Sequence, residues 1–179
     1  MKKITLLLLL SISNIIIAQK EMITSKGTIN FEASVPLFEE VKASNETAQC
    51  VLNIKTGEIY SLSLIKEFHF KIAIMEDHFN EYYLESDHHP KATFKGRILG
   101  FNWNSIGTSP KEFKMKGRLE IHGRKKEITT LVFLRKVEDG LEIISNFSVN
   151  TSNFNIKIPT ILNMRVAKTV NVKTEFLVK

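Results

Sequence analysis

Five histidines and a run of acids between residues 69 and 122 are the side chains here best suited to chemistry. Asp87, His88 and His89 stand together, with His78 close before them. Imidazole and carboxylate are transition-metal donors. Neighbours on an extended chain point to opposite sides, however, so His88 and His89 cannot readily share one ion. Neither a His-x-x-x-His pair nor a cysteine partner accompanies them. His122 precedes Gly123 and reads as a turn residue. The expectation is no metal site and no cofactor. Glu76, Asp77, Glu81, Glu85 and Asp87 form an acidic cluster. Paired carboxylates there, Glu81 or Glu85 among them, could drive hydrolysis, but a solvated face is the simpler reading, with Asp77 as a helix cap. No nucleophile elbow, phosphate loop or HExxH pattern is present. The chain therefore reads as a non-enzyme with no catalytic residues. Cys50, the one cysteine, shares the alternation of Ala48, Leu52 and Ile54. It reads as a buried inert thiol that can form no internal disulfide.

The acidic cluster belongs to a short amphipathic helix predicted over about 76–84. Met75, Phe79, Tyr82 and Tyr83 fall at helical spacing along one stripe. Pro90 ends that element and drives His89 toward an extended shape. Most of the remainder alternates with period two, as half-buried strands do. Ile29, Phe31, Ala33 and Val35 share a face, as do Phe68, Phe70, Ile72 and Ile74. Ala92, Phe94 and Ile98 continue the pattern. Phe113, Met115, Leu119 and Ile121 oppose Lys114, Lys116, Arg118 and Glu120. Leu141, Ile143, Phe147 and Val149 form another set, and Val170, Val172, Phe176 and Val178 the last. Segments 46–55, 58–65 and 125–137 are further strand candidates. Turn signals at Thr56-Gly57, 100–110, His122-Gly123 and Asp139-Gly140 separate the runs. Seven to nine mostly consecutive antiparallel strands with one helix imply an all-β sandwich or a closed barrel.

A membrane barrel would be apolar outside, whereas the polar faces here look ordinarily solvated and the chain closes on Lys179. The expectation is a soluble barrel with an apolar interior. Two readings of that interior remain open. Inward phenyl rings either meet as a solid core, leaving an interaction or stress-response module that works through its loops, or stand back and line a tunnel. A tunnel would draw in a hydrocarbon tail, since each buried methylene contributes about 0.8 kcal/mol. Trp103 and Phe101, in a Gly-bounded loop, read as a plug or as a mouth lid and membrane anchor. The apolar stretch Ile156, Ile158, Ile161, Leu162, Met164 and Val166 could form the facing wall.

Lys2 and Lys3, an apolar run over Ile4–Ile17 and Ala18 compose a secretory signal peptide, too short to span a bilayer. Residues 1–18 are expected to be removed, leaving a single domain over 19–179. Those 18 residues carry two lysines and no acid, so the formal charge falls from +6 to about +4. The mature protein is expected in the periplasm or outside the cell, with no nucleic-acid partner.

His78–Ile98, HFNEYYLESDHHPKATFKGRI, resembles the recognisable core of the YceI-like, polyisoprenoid-binding family, "HFNExYLES…P…TFxG". Gly117–Gly123 with Lys126 and Ile128 is similar to that family's "GxLxIxGxxKxI". Gly27, Ile29 and Phe31 resemble its first strand, and Val170 to Phe176 its last. Phe154-Asn155-Ile156 lies at an Asp-Phe-Gly-like turn, although Asn153 replaces the acid, Asn155 the glycine, and the upstream arginine is absent. Pro36–Ser44 also departs from the pattern. The resemblance implies a lipocalin-like antiparallel β-barrel of about eight strands holding a long-chain isoprenoid or similar lipid, for carriage or sequestration. In the tunnel reading, the inward-facing register lines that lumen with Phe31, Phe68, Phe70, Phe94, Phe113, Met115, Leu119, Ile121, Phe147, Val172 and Phe176. Phe79, Tyr82, Tyr83 and Trp103 would form the mouth or lid, with transient membrane-surface contact.

Overall fold

The computed structural model describes residues 21–159 and 165–179. Eight long or medium strands close into an antiparallel barrel. They are β1 (Glu21–Ser34), β2 (Lys42–Asn53), β3 (Glu58–Leu64), β5 (Lys91–Leu99), β6 (Lys111–Ile121), β7 (Arg124–Val137), β8 (Gly140–Asn150) and β9 (Val166–Val178). A two-residue strand, β4 (His69–Phe70), adds to the rim of β2. The sheet order is β1-β9-β8-β7-β6-β5-β3-β2-β4, and β1 also pairs with β2. That last ladder closes the ring, which leaves no long unpaired edge among the described strands.

The alternation builds the barrel as expected. In β6, Phe113, Met115, Gly117 and Leu119 are buried, whereas Lys114, Lys116 and Arg118 are exposed. Charges meet across strands on the outside: Arg118 Nε lies 3.1 Å from Glu127, and Arg135 binds Glu142 through two bonds of 2.8 and 2.9 Å. Such pairs contribute little each, about 0.2–1 kcal/mol, but they make this wall a water-facing one. Two-residue turns join the strands where the sequence signals them. His122 (φ 49°) and Gly123 (φ 67°) are both left-handed, the backbone of a tight turn that follows strand twist.

Strand direction sorts the connections into two ends. The links 35–41, 65–90 and 122–123 gather at the upper end, with residues 151–159. The links 54–57, 100–110 and 138–139 gather at the lower end, with the C-terminus. The lower half is solid: Leu52, Ile98, Val132, Leu134, Leu141 and Val178 are each essentially inaccessible.

Several expectations need correcting. The helix, α1 (Ala73–His78), begins three residues earlier than predicted and continues as a single wide turn over Phe79–Tyr83. Its cap position is Ile72, with no side-chain cap, so Asp77 lies inside the helix instead of capping it. The predicted strand through Phe68, Phe70, Ile72 and Ile74 shrinks to β4. The Glu76 carboxylate accepts the Phe70 amide at 3.0 Å, which draws the chain into α1. The signal-peptide segment and Ile161, Leu162 and Met164 lie outside the described residues.

Candidate ligand-binding site

The upper half of the barrel is hollow. It holds a cavity of about 470 Å³, within the ~300–1,000 Å³ range of small-molecule sites. Ile59, Phe94, Met115, Ile143 and Phe176 line its deep part, and Leu119, Phe147 and Val172 its wall. Glycines let the wall stand back. Gly96 faces Gly117 across β5 and β6, and a methyl group on either would come within 2.6 Å of the Phe94 ring. Gly27 gives the Phe176 ring the same room. Each ring therefore packs directly against glycine, in space that a side chain there would occupy. The polar side chains on the wall are hydroxyls such as Ser145, which donates to the Leu131 carbonyl at 2.7 Å. A hydroxyl so satisfied leaves the wall almost entirely carbon-like.

The upper connections shape the entrance. Phe31, Phe68, Phe70 and Phe79 form one aromatic cluster, with ring centroids 5.2–5.8 Å apart. This cluster, together with Glu76, fastens α1 over the cavity. Glu76 also meets His69 Nδ1 at 3.3 Å. No residue of α1 or the wide turn is fully buried, as expected of a cover over a space instead of over a core. Met75, Phe79, Tyr83 and Leu84 line the cavity from that side, and Phe38, Glu39, Ile158 and Arg165 line it opposite. Burial pushes the Tyr83 phenol pKa up.

Of the residues expected in the lumen, Phe31, Phe68, Phe70, Phe94, Met115, Leu119, Ile121, Phe147, Val172 and Phe176 line the cavity, and Phe113 does not. Phe113 is buried in the solid lower core, because β6 runs upward and this residue sits near its start. At the mouth, Phe79 and Tyr83 line the cavity, but Tyr82 stands 67% exposed. The wide turn explains this. The Leu84 amide reaches back five residues to Phe79, which rotates Tyr82 off the stripe that regular helical spacing would give. Trp103 is not at the mouth. Its loop follows β5, which runs down the barrel, so it caps the lower end with Phe101, and Lys136 covers its ring at 4.4 Å. Counting strand directions from the helix could have placed it. Sequence reasoning missed Phe154 and Arg165 as lining residues. Asn155 takes a left-handed conformation, φ 57°, and that turn tucks Phe154 under the mouth.

Cys50 is fully buried, and burial pushes its thiol up to about 12. One polar cluster stands beside the entrance. His122 Nε2 lies 2.8 Å from Glu85 Oε2, while His122 Nδ1 lies 3.2 Å from the Phe154 carbonyl. The hydrogen bond from His122, and the charge of the nearby imidazoles, hold the Glu85 carboxyl below its usual range. His89 packs edge-on against His122 at 4.5 Å between ring centres.

Comparison with known proteins bears on this barrel. Among solved structures, a polyisoprenoid-binding domain from Saccharophagus degradans implicated in plant cell wall breakdown superposes with TM-score 0.77 at 12% identity, over 89% of this chain and 98% of that one. BcnA of Burkholderia cenocepacia gives 0.69 at 17% identity, over 86% and 96%. The YCEI protein of Campylobacter jejuni gives 0.60 at 17%, over 81% and 89%. These likenesses establish the shared fold. No functionally curated protein matches the chain. Residues 13–177 match the YceI-like domain profile, nearly the whole barrel and both of the motif segments, and the chain therefore belongs to the YceI-like family.

Proposed function

We propose that this protein is an exported, non-catalytic carrier or sequestering protein that holds a long-chain isoprenoid or similar lipid in its upper lumen. The observation that carries this reading is the half-filled barrel: an apolar cavity above a solid floor and below an open rim, with two wall rings packed against glycines. Family membership and the polyisoprenoid-binding description of the Saccharophagus relative support the ligand class. Affinity comes from the tail, at about 0.8 kcal/mol per buried methylene. Arg165, His78 and Glu39 at the rim supply polar contacts for a headgroup. The rim itself supports transient contact with a membrane. Leu37, Phe38, Ile74 and Tyr82 are exposed there, and Lys71, Lys157 and Arg165 belong to the same upper connections. Apolar side chains beside cations suit a bilayer surface carrying anionic lipid.

Native mass spectrometry of the protein from a bacterial host tests the reading. A stoichiometric adduct that extracts as a long isoprenoid is expected. Leu119→Arg would place a cation in the lumen and should remove the adduct from a protein that still shows native circular dichroism. A clean apo mass with no uptake from added isoprenoids would overturn the reading.

A further inference from the structure

We propose that Glu85, His89 and His122 form a binding site for a divalent transition cation of the zinc, copper and nickel class. One donor atom from each lies within 4.8 Å of the other two, so a single ion can touch all three. Two imidazoles and a carboxylate are a donor set for such borderline metals and a poor one for calcium or magnesium, which take oxygen.

The site is assembled by folding. Glu85 and His89 are four residues apart in a single turn, in which the Glu85 carbonyl accepts the amides of both His88 and His89, at 2.8 and 2.9 Å. That contraction brings their side chains to one side, as neighbours in an extended chain could not be. His122 arrives from the β6–β7 turn, 37 positions beyond Glu85. Glu85 and His122 both hold left-handed backbone, φ 45° and 49°, and residues held so are enriched at functional sites. Gly123 leaves space that a side chain would deny the His89 ring, since a Cβ there would come within 3.0–3.2 Å of it.

A backbone carbonyl already orients one of the rings. Metal-binding imidazoles commonly donate their other ring nitrogen to a carbonyl, which fixes the tautomer and aims the free nitrogen. His122 Nδ1 meets the Phe154 carbonyl at 3.2 Å. A carbonyl only accepts, so Nδ1 carries hydrogen and Nε2 is the atom aimed at Glu85. An ion would replace the direct contact that now joins Nε2 to the carboxylate. The His122 side chain is 9% exposed and Glu85 49%, so the protein walls one side and the other admits the ion. Three protein ligands leave a coordination position for water or a headgroup oxygen. The site stands whether or not the lumen carries lipid.

Untagged full-length protein, stripped with chelator, is titrated with zinc sulfate by calorimetry, and in parallel with copper and nickel salts. Binding of one ion per chain is expected for at least zinc, at low-micromolar affinity or tighter. Glu85→Gln, His89→Gln and His122→Asn should each weaken it by at least ~10-fold. Asparagine is chosen at 122 because it tolerates left-handed backbone. His69→Gln, across the rim on Glu76, should leave it unchanged. Cobalt at saturating concentration gives a second readout that reports the coordination sphere: a visible absorption band in the wild type, lost in folded His89→Gln. Absence of stoichiometric binding for all three metals, or binding that survives both Glu85→Gln and His89→Gln, would overturn the proposal.

Discussion

Cys50 concentrates what a single buried side chain does in this fold. Its thiol lies within the buried apolar cluster, and burial raises its pKa from 9.0 to about 12. It should therefore resist thiol reagents in the folded protein and react fully once urea unfolds the chain, which a timed labelling assay would read. The sign of its pH effect follows. An unfolded thiol begins to ionise near 9.0, while the folded one stays protonated, so its contribution to stability is complete below that pH and is lost as pH rises toward 12. Cys50→Ala should cost about 1 kcal/mol at neutral pH, and the gap between the two urea midpoints should close in alkali. Cys50 was legible in the sequence because a period-two register fixes which side faces in. Tyr82 and Trp103 were not. One depends on a wide turn that shifts register by a residue, the other on which way β5 runs. The Glu85, His89 and His122 cluster was illegible for a different reason: it joins two segments that only the closed barrel brings together.

At the scale of elements, the strands were readable and the helix was only partly so. Strand alternation is local, and it survives because one side of each strand is wet and the other dry. The start of α1 is decided by a contact instead. Glu76 pulls the Phe70 amide toward the helix and gives up its own carbonyl to Asn80 Nδ2, 3.0 Å away. Glu76→Ala would leave the Phe70 amide without that carboxylate partner and cost about 1–3 kcal/mol. Because α1 buries no side chain fully, the loss should stay local. Hydrogen exchange is expected to accelerate over residues 69–83 and to remain unchanged in β6 and β7. Acceleration spread evenly through the barrel would show instead that α1 is part of the cooperative core.

The whole molecule is a barrel with one sealed end and one furnished end, and the furnished end carries strain. Pro36 and Leu37 occupy the two central positions of a tight turn closed by the Phe38 amide on the Val35 carbonyl at 3.2 Å. Leu37 there has φ 73° and is fully exposed. Glycine is the residue such a position favours, and a left-handed backbone costs a side-chain-bearing residue roughly 1–2 kcal/mol. A leucine held in strain and wholly in water gains nothing from the fold. It becomes favourable only when something apolar meets the rim. If that something is a bilayer, stability and function oppose each other at this residue. Leu37→Gly should raise stability by up to about 1 kcal/mol and at the same time weaken partitioning onto anionic phosphatidylglycerol vesicles roughly tenfold, the worth of about 1.5 kcal/mol of leucine burial. Thermal unfolding and vesicle co-sedimentation of the same variant read the two effects separately. A variant that gains stability and binds vesicles as well as the parent would remove the rim from the account of how lipid reaches the lumen.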